Sequence, residues 1–272
     1  MKSSRHTGSK STSLLIAGGS LFAILTAAVF VSRNWFRPAS SPQRTETSST
    51  QASAVQPKIK QWHSVGGITN ELAQFETVFW EPDDTTSLRS WFVEHPEVDG
   101  ANMLEIGVGT GIISLSGLIA GVESAVATDI NPMACMNARY NAELLDLDER
   151  LEIRQVMPTS PGPFSVIGAD EQFDLIVSNP PWEDAPVEEV AAHALYDPGF
   201  ALLDGLVAEA HLHLKPGGKL LLAYGAKTAI KRILATASQS GWNATVADTR
   251  DLETLPEVFL PGMLLVLERP QK

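Results

Sequence analysis

A strand-like run, Asp174-Leu175-Ile176-Val177-Ser178, leads straight into Asn179-Pro180-Pro181-Trp182. Two prolines cannot continue a sheet ladder, so the strand has to end there. Asn179 offers a side-chain amide oxygen, and Pro180 offers a carbonyl on a stiff backbone. Two such acceptors can grip both hydrogens of a planar –NH2 group and aim its nitrogen at an electrophile. Trp182 can stack on a flat amide or a base. The box holds no His or Lys base. Alkylation of nitrogen by displacement needs none, because the acceptor proton can leave after the bond has formed. The tetrapeptide serves an amide and an exocyclic base amine equally well.

A second constellation lies upstream. Glu105-Ile106-Gly107-Val108-Gly109-Thr110-Gly111 follows an apolar run and opens a helical stretch. Glycines there allow a tight turn and a close approach to a ligand, and a helix N-terminus presents free N–H groups. An acid precedes the glycines, and Ile112 follows Gly111, so the last glycine of the usual dinucleotide fingerprint is missing. Asp129 stands 22 residues after Gly107 at the end of the next apolar run. A carboxylate at that place can bind both hydroxyls of a ribose.

Other polar residues carry less. His211 and His213 are two apart on a helical stretch and face different ways. His63, His95 and His193 are isolated and lack ligand spacing, so no metal site is expected. Cys135, the only cysteine, lies among apolar residues and reads as a packed thiol. Glu183, Asp184, Glu188 and Glu189 read as a solvated face beside the acceptor box, able to select a basic or neutral substrate.

These groups need a frame, and strand and helix signals alternate from about residue 62. Strands are expected at Asn102–Ile106, Ser124–Thr128, Leu151–Val156, Phe173–Ser178 and Lys219–Tyr224. Helices are expected at Ile112–Ala120, Pro132–Leu145, Phe200–Leu214 and Thr228–Ser240. Two β-like pieces follow, Asn243–Thr249 and Gly262–Glu268, with no long helix between them. Repeated βα units predict a parallel sheet with helices on both faces, and the last pair predicts an antiparallel hairpin at one edge.

The chain has 272 residues, 44% of them hydrophobic, and a net charge of −12. That composition excludes a disordered, collagen-like or disulfide-framework protein. The charge is unevenly divided, with +7 over residues 1–60 and −19 over residues 61–272. So acidic a body makes a poor general binder of polyanions, because phosphates are neutralised by Lys and Arg. From Ser11 to Ser32 there are 22 residues without a charge. As a helix they would span about 33 Å, close to a bilayer core of about 30 Å. The expected organisation is a basic segment over 1–12, a membrane anchor or signal peptide over 13–32, a flexible linker over 33–60 and one domain over 61–272.

The body resembles the Rossmann-like class I S-adenosylmethionine-dependent methyltransferases, and within them the branch related to the release-factor glutamine (HemK-like) methyltransferases. The resemblance rests on Val78–Leu88 with its Glu81-Pro82 and Thr86, on Leu104–Gly111, on Thr128-Asp129-Ile130-Asn131-Pro132 and on Phe173–Trp182. It implies a mostly parallel seven-stranded sheet and S-adenosylmethionine as cofactor. It implies that Glu105, Gly107, Gly109 and Gly111 line the methionine end, that Asp129 binds the ribose and that Ile130 packs on the adenine. Thr86 would close over the cofactor and Asn179 would also contact it; Asn179 and Pro180, with Pro181, would orient the acceptor nitrogen, and Trp182 would flank it. Three departures stand out. Val156-Met157 occupy the place where the family usually carries an acid for the adenine amino group. Trp182 replaces the Tyr common among glutamine enzymes. Pro158–Gly168 is longer than the family pattern.

The expected activity is N-methylation of a protein glutamine. An RNA or DNA exocyclic amine (adenine N6 or guanine N2) is the alternative acceptor, and a membrane-tethered non-catalytic relative is the second alternative. The cofactor is a cytosolic metabolite, so the expected location is a membrane, held by a single N-terminal anchor with the catalytic domain in the cytoplasm. Export after signal-peptide cleavage is the other reading.

Overall fold

The computed structural model describes residues 57–270. The expected anchor over 13–32 lies outside them. Among the described residues no helix is long and apolar enough to cross a membrane.

The chain opens with an antiparallel pair, β1 (Ile59–His63) and β2 (Leu72–Phe75), and then α1 (Thr86–Glu94). There follow β3 (Asn102–Ile106), α2 (Ile112–Ala120), β4 (Ser124–Asp129), α3 (Pro132–Leu144), β5 (Leu151–Gln155) and β6 (Phe173–Ser178). The remainder is α4 (Ala201–Glu209), β7 (Leu214–Ala226), α5 (Lys227–Gln239), β8 (Asn243–Val246) and β9 (Val258–Glu268). The main sheet has seven strands in the order β5-β4-β3-β6-β7-β9-β8. The first five are parallel, and β9 runs antiparallel to both β7 and β8. The sheet and its antiparallel edge are those expected.

The near-continuous apolar character of the central strands follows from burial on both faces. Successive residues point to opposite sides. Met103, Leu175 and Leu221 pack with Leu88, Phe92, Leu115 and Leu118 on one face. Their neighbours Leu104, Ile176 and Leu222 pack with Leu203, Leu206, Ile230 and Ile233 on the other.

Three boundaries are corrected. The linker cannot extend through residue 60, because Ile59 and Lys60 already lie in β1. The helix expected over Phe200–Leu214 ends at Glu209 and passes through a 3-10 turn, Ala210–Leu212. Leu214 instead opens β7 and pairs with Phe173. The last strand begins at Val258, four residues before the expected Gly262.

Two asparagines hold the small hairpin to the main body. Asn137 and Asn141 sit one turn apart on α3, both fully buried. Asn141 Oδ1 accepts from the Ala73 N–H at 2.8 Å, and Asn137 Oδ1 accepts from the Phe75 N–H at 2.8 Å. Their amide groups donate to the Ala73 carbonyl at 2.8 and 2.9 Å, and Asn141 also donates to the Thr110 carbonyl at 2.9 Å. The edge of β2 is thereby satisfied by side chains, and the hairpin is tied to the glycine loop. Replacing Asn141 by Ala strands buried backbone groups and is expected to cost about 3 kcal/mol. Urea unfolding of the variant measures this.

Candidate functional site

The strand order sets the site. The C-terminal ends of β6, β3, β4 and β5 lie side by side, carrying Asn179, Gly107, Asp129 and Val156 in that sequence. In open parallel sheets ligands bind at these ends. A cavity of about 430 Å³ lies over them. Its wall includes Glu105, Gly107, Gly109, Asp129, Ile130, Asn179, Pro180 and Pro181. Eight of the eleven expected site residues therefore meet around one space.

The glycine loop turns where left-handed backbone is required, with φ of +83° at Gly107 and +87° at Gly111. The Gly107 and Val108 N–H groups donate to the Thr128 carbonyl at 2.8 and 2.9 Å, which locks the loop to β4. Gly107 and Gly109 face open space where a side chain would project. Gly111 is different and does not reach the cavity wall. A Cβ there would lie 3.2 Å from Ala138 Cβ, so it serves the close approach of α2 to α3.

Two carboxylates mark the polar end of the cavity. Glu105 is fully buried. Its Oε2 accepts from the Ser114 N–H at 2.9 Å and from the Ser114 hydroxyl, while Oε1 has no partner. Burial pushes its carboxyl up to about 8, against the Ser114 hydrogen bonds. Asp129 Oδ2 accepts from Gly109 N–H at 2.9 Å and Oδ1 from Asn131 N–H at 2.8 Å. Burial raises its pKa too, and those backbone donors oppose the rise. Each oxygen keeps a lone pair for a hydroxyl donor.

A family model described as the methyltransferase small domain matches residues 81–248, from the turn before α1 to just beyond β8. The chain belongs to that methyltransferase family. It is similar to the release factor glutamine methyltransferase of Deinococcus radiodurans, 35% identical over 161 residues that cover 55% of this chain and 54% of that one. It is similar to the same-named protein of Cereibacter sphaeroides, 38% identical over 168 residues, 56% of each. The chain thus spans about half the length of the curated relatives it matches. Among solved structures it resembles a ribosomal protein L11 methylase from Lactobacillus delbrueckii subsp. bulgaricus, with a TM-score of 0.51, 19% identity, and coverage of 71% of this chain and 81% of that one. That likeness shows the fold.

Family membership supports S-adenosylmethionine as the cofactor, and the cavity residues of this methyltransferase fit it. The unpartnered Glu105 Oε1 suits an ammonium, the bare Gly107–Gly109 backbone admits a close ligand, and Asp129 suits vicinal hydroxyls.

Besides Gly111, two expected positions lie off the wall. Thr86 is not on the cavity wall, and its neighbour Thr85 is. A 3-10 turn, Pro82–Thr85, precedes α1, and Thr85 is its last residue. Thr85 Oγ1 donates to the Pro82 carbonyl at 3.0 Å and accepts from Arg89 Nε at 3.1 Å. Trp182 does not line the cavity either. Its indole packs beside Gly225 and Gly262, where a Cβ on Gly225 would overlap both the indole and the Phe259 carbonyl. From there Trp182 Nε1 donates to Asn179 Oδ1 at 3.2 Å and to the Ala223 carbonyl at 3.3 Å. Trp182 is thereby placed to orient the Asn179 amide. Replacing Trp182 by Phe keeps the packing and removes this donor. Turnover is expected to fall by about three- to tenfold with cofactor affinity unchanged; paired rate and binding measurements check it.

Sequence reasoning passed over Asp84. It is buried, Oδ1 has no partner, and burial pushes its carboxyl up to about 7, opposed by the Asn179 amide. Its signal was present in the Glu81-Pro82-Asp83-Asp84 run. The segment after the acceptor box was missed as well. A 3-10 turn, Val190–Ala194, with Tyr196 and Asp197, forms part of the cavity wall. Asp197 accepts from the N–H groups of Leu202 and Leu203 at 2.9 and 3.0 Å, capping α4.

Proposed function

We propose that this protein transfers a methyl group from S-adenosylmethionine to the side-chain amide nitrogen of a glutamine in another protein. The observation that carries the reading is Asn179-Pro180 on the wall of the same cavity as the glycine loop. Glu105 would hold the ammonium of the cofactor's methionine end, Asp129 its ribose, and Ile130 its base. When bound, the cofactor supplies an electrophilic methyl. The chain's own work is positioning: Asn179 Oδ1 and the Pro180 carbonyl accept from the amide N–H groups and hold the nitrogen in line. Placement of this kind accounts for a large share of such rate enhancements. The −19 body agrees with a protein acceptor rather than a polynucleotide. The matched relatives are named as glutamine methyltransferases of release factors, which supports the amide reading.

Incubation of the protein with methyl-labelled cofactor and fractionated cell extract tests this. Label is expected in protein and, after digestion, on glutamine nitrogen; label in RNA or DNA alone overturns the acceptor assignment. We further propose that residues 13–32 tether the domain to a membrane with residues 61–272 in the cytoplasm. A reporter fused after Lys272 is expected to be active in the cytoplasm, and an exported reporter refutes that.

A further inference from the structure

The order of the strand ends gives the cavity a direction. Running from β6 through β3 and β4 to β5, it passes the acceptor groups, the glycine loop with Glu105, and Asp129, and ends at Val156. A ligand with its ribose at Asp129 and its reactive end at Asn179 has its base at the β5 end. The wall there is Ile130, Ala134, Val156 and the Pro161-Gly162-Pro163 stretch. No side chain in this set can accept a hydrogen bond. Asn131, a polar residue also on the wall, has its amide turned to the backbone, capping α3 and holding the loop at Thr77. Its Oδ1 accepts from Met133 N–H at 2.9 Å, and its Nδ2 donates to the Thr77 carbonyl at 3.2 Å. Of the two residues that replace the expected acid, Val156 is buried on the wall and Met157 is 56% exposed.

The Pro-Gly-Pro stretch is a built wall. Phe164 is buried and stacks on His213, with ring centroids 4.8 Å apart. Pro163 lies against α4 so closely that a Cβ on Gly205 would be 3.0 Å from its ring. On the far side Arg154 donates to the Val166 carbonyl at 3.2 Å and pairs with Glu171 at 2.7 Å. Within the segment, the Met157 and Gly162 carbonyls already accept from Ser160 and Ser165 N–H groups. The Pro158–Gly168 stretch thus lines the base end with apolar surface through Pro161, Gly162 and Pro163.

We propose that this chain holds the cofactor's nucleobase by apolar contact and does not select for its exocyclic amino group. The proposal rests on the cofactor reading above and adds what the base subsite recognises. Calorimetry with S-adenosylhomocysteine and its 6-deamino analogue, in which hydrogen replaces the amino group, tests it on binding alone. The deamino form leaves the ring nitrogens unchanged. Dissociation constants within about fivefold of each other are expected; a larger loss for the deamino form overturns the proposal, since an amine–carboxylate hydrogen bond is worth about tenfold or more. Val156→Asp is expected to create a preference of about tenfold for the amino form. A folded Val156→Asp that binds both ligands equally overturns the placement of the base beside Val156. If the variant does not fold, the wild-type pair still decides. Failure of S-adenosylhomocysteine itself to bind removes the cofactor reading as well, a result distinct from unequal binding of the two ligands.

Discussion

Replacing Asn179 by alanine is expected to lower kcat/KM for methyl transfer by about a hundred- to a thousandfold, the usual effect of losing one fixed hydrogen-bonding group at a reacting centre. The loss follows from how the side chain is held. Asn179 Oδ1 already accepts from Trp182 Nε1 at 3.2 Å, so the amide is oriented before any substrate arrives. Alanine removes both the acceptor and that orientation, while the Pro180 carbonyl remains. Cofactor affinity should stay within a few-fold of wild type, because Glu105, the glycine loop and Asp129 are on other strands. A labelled-methyl assay beside a binding titration separates the two effects, and full activity in the variant would refute the assigned role.

The second large effect is a pH dependence of cofactor binding centred on Glu105. Burial holds its carboxyl at about 8 in place of the ordinary 4.5, so near neutrality the ligand-free protein keeps it protonated. An ammonium beside Oε1 favours the carboxylate. Binding should then expel about one proton, and affinity should rise with pH below about 8 by up to tenfold per unit. Above that Glu105 is already ionised in the ligand-free protein, no proton need be expelled, and the rise ends. Titration with S-adenosylhomocysteine in buffers of different ionisation enthalpy measures the proton directly. Glu105→Gln is expected to flatten the profile and weaken binding at pH 8 by about ten- to a hundredfold. A flat profile in the unaltered protein would exclude the ammonium contact. The same shift bears on stability in the opposite sense. The folded state holds a proton on Glu105 that the unfolded chain releases above 4.5, so the ligand-free protein should lose stability as pH rises from about 4.5 to about 8. Asp84, raised from 3.8 to about 7, acts in the same direction.

The parts legible in the sequence were those in which local pattern and tertiary environment agree. The apolar runs at Asn102–Ile106 and Phe173–Ser178 are buried on both faces and could only be central strands. Asn131-Pro132 announced the start of α3, where Asn131 caps and Pro132 occupies the first turn. The glycine loop and Asn179 were legible from their local motifs together with the family resemblance. Errors arose where distant partners decide. Trp182 is drawn aside by a groove between Gly225 and Gly262, more than forty residues away. Thr85, at the end of a 3-10 turn, lines the cavity where Thr86, the first residue of α1, does not. Asn137 and Asn141 looked like ordinary helix polar residues, and only their pairing with Ala73 and Phe75 reveals them as clips. The early strand β1 was missed because its exposed face gives little apolar pattern.

Because Val258–Glu268 lies between β7 and β8, the sheet cannot be laid down in the order of the sequence. β8 has β9 as its neighbour in the sheet, so Asn243–Val246 has no edge to join until a segment made later has docked on β7. The five parallel strands can assemble progressively, each crossover feeding the next. The antiparallel edge must wait and then close in reverse. Any state that lacks β9 leaves β7 as an open edge, its backbone donors and acceptors on that side unpaired. Such an edge is where a second chain would pair.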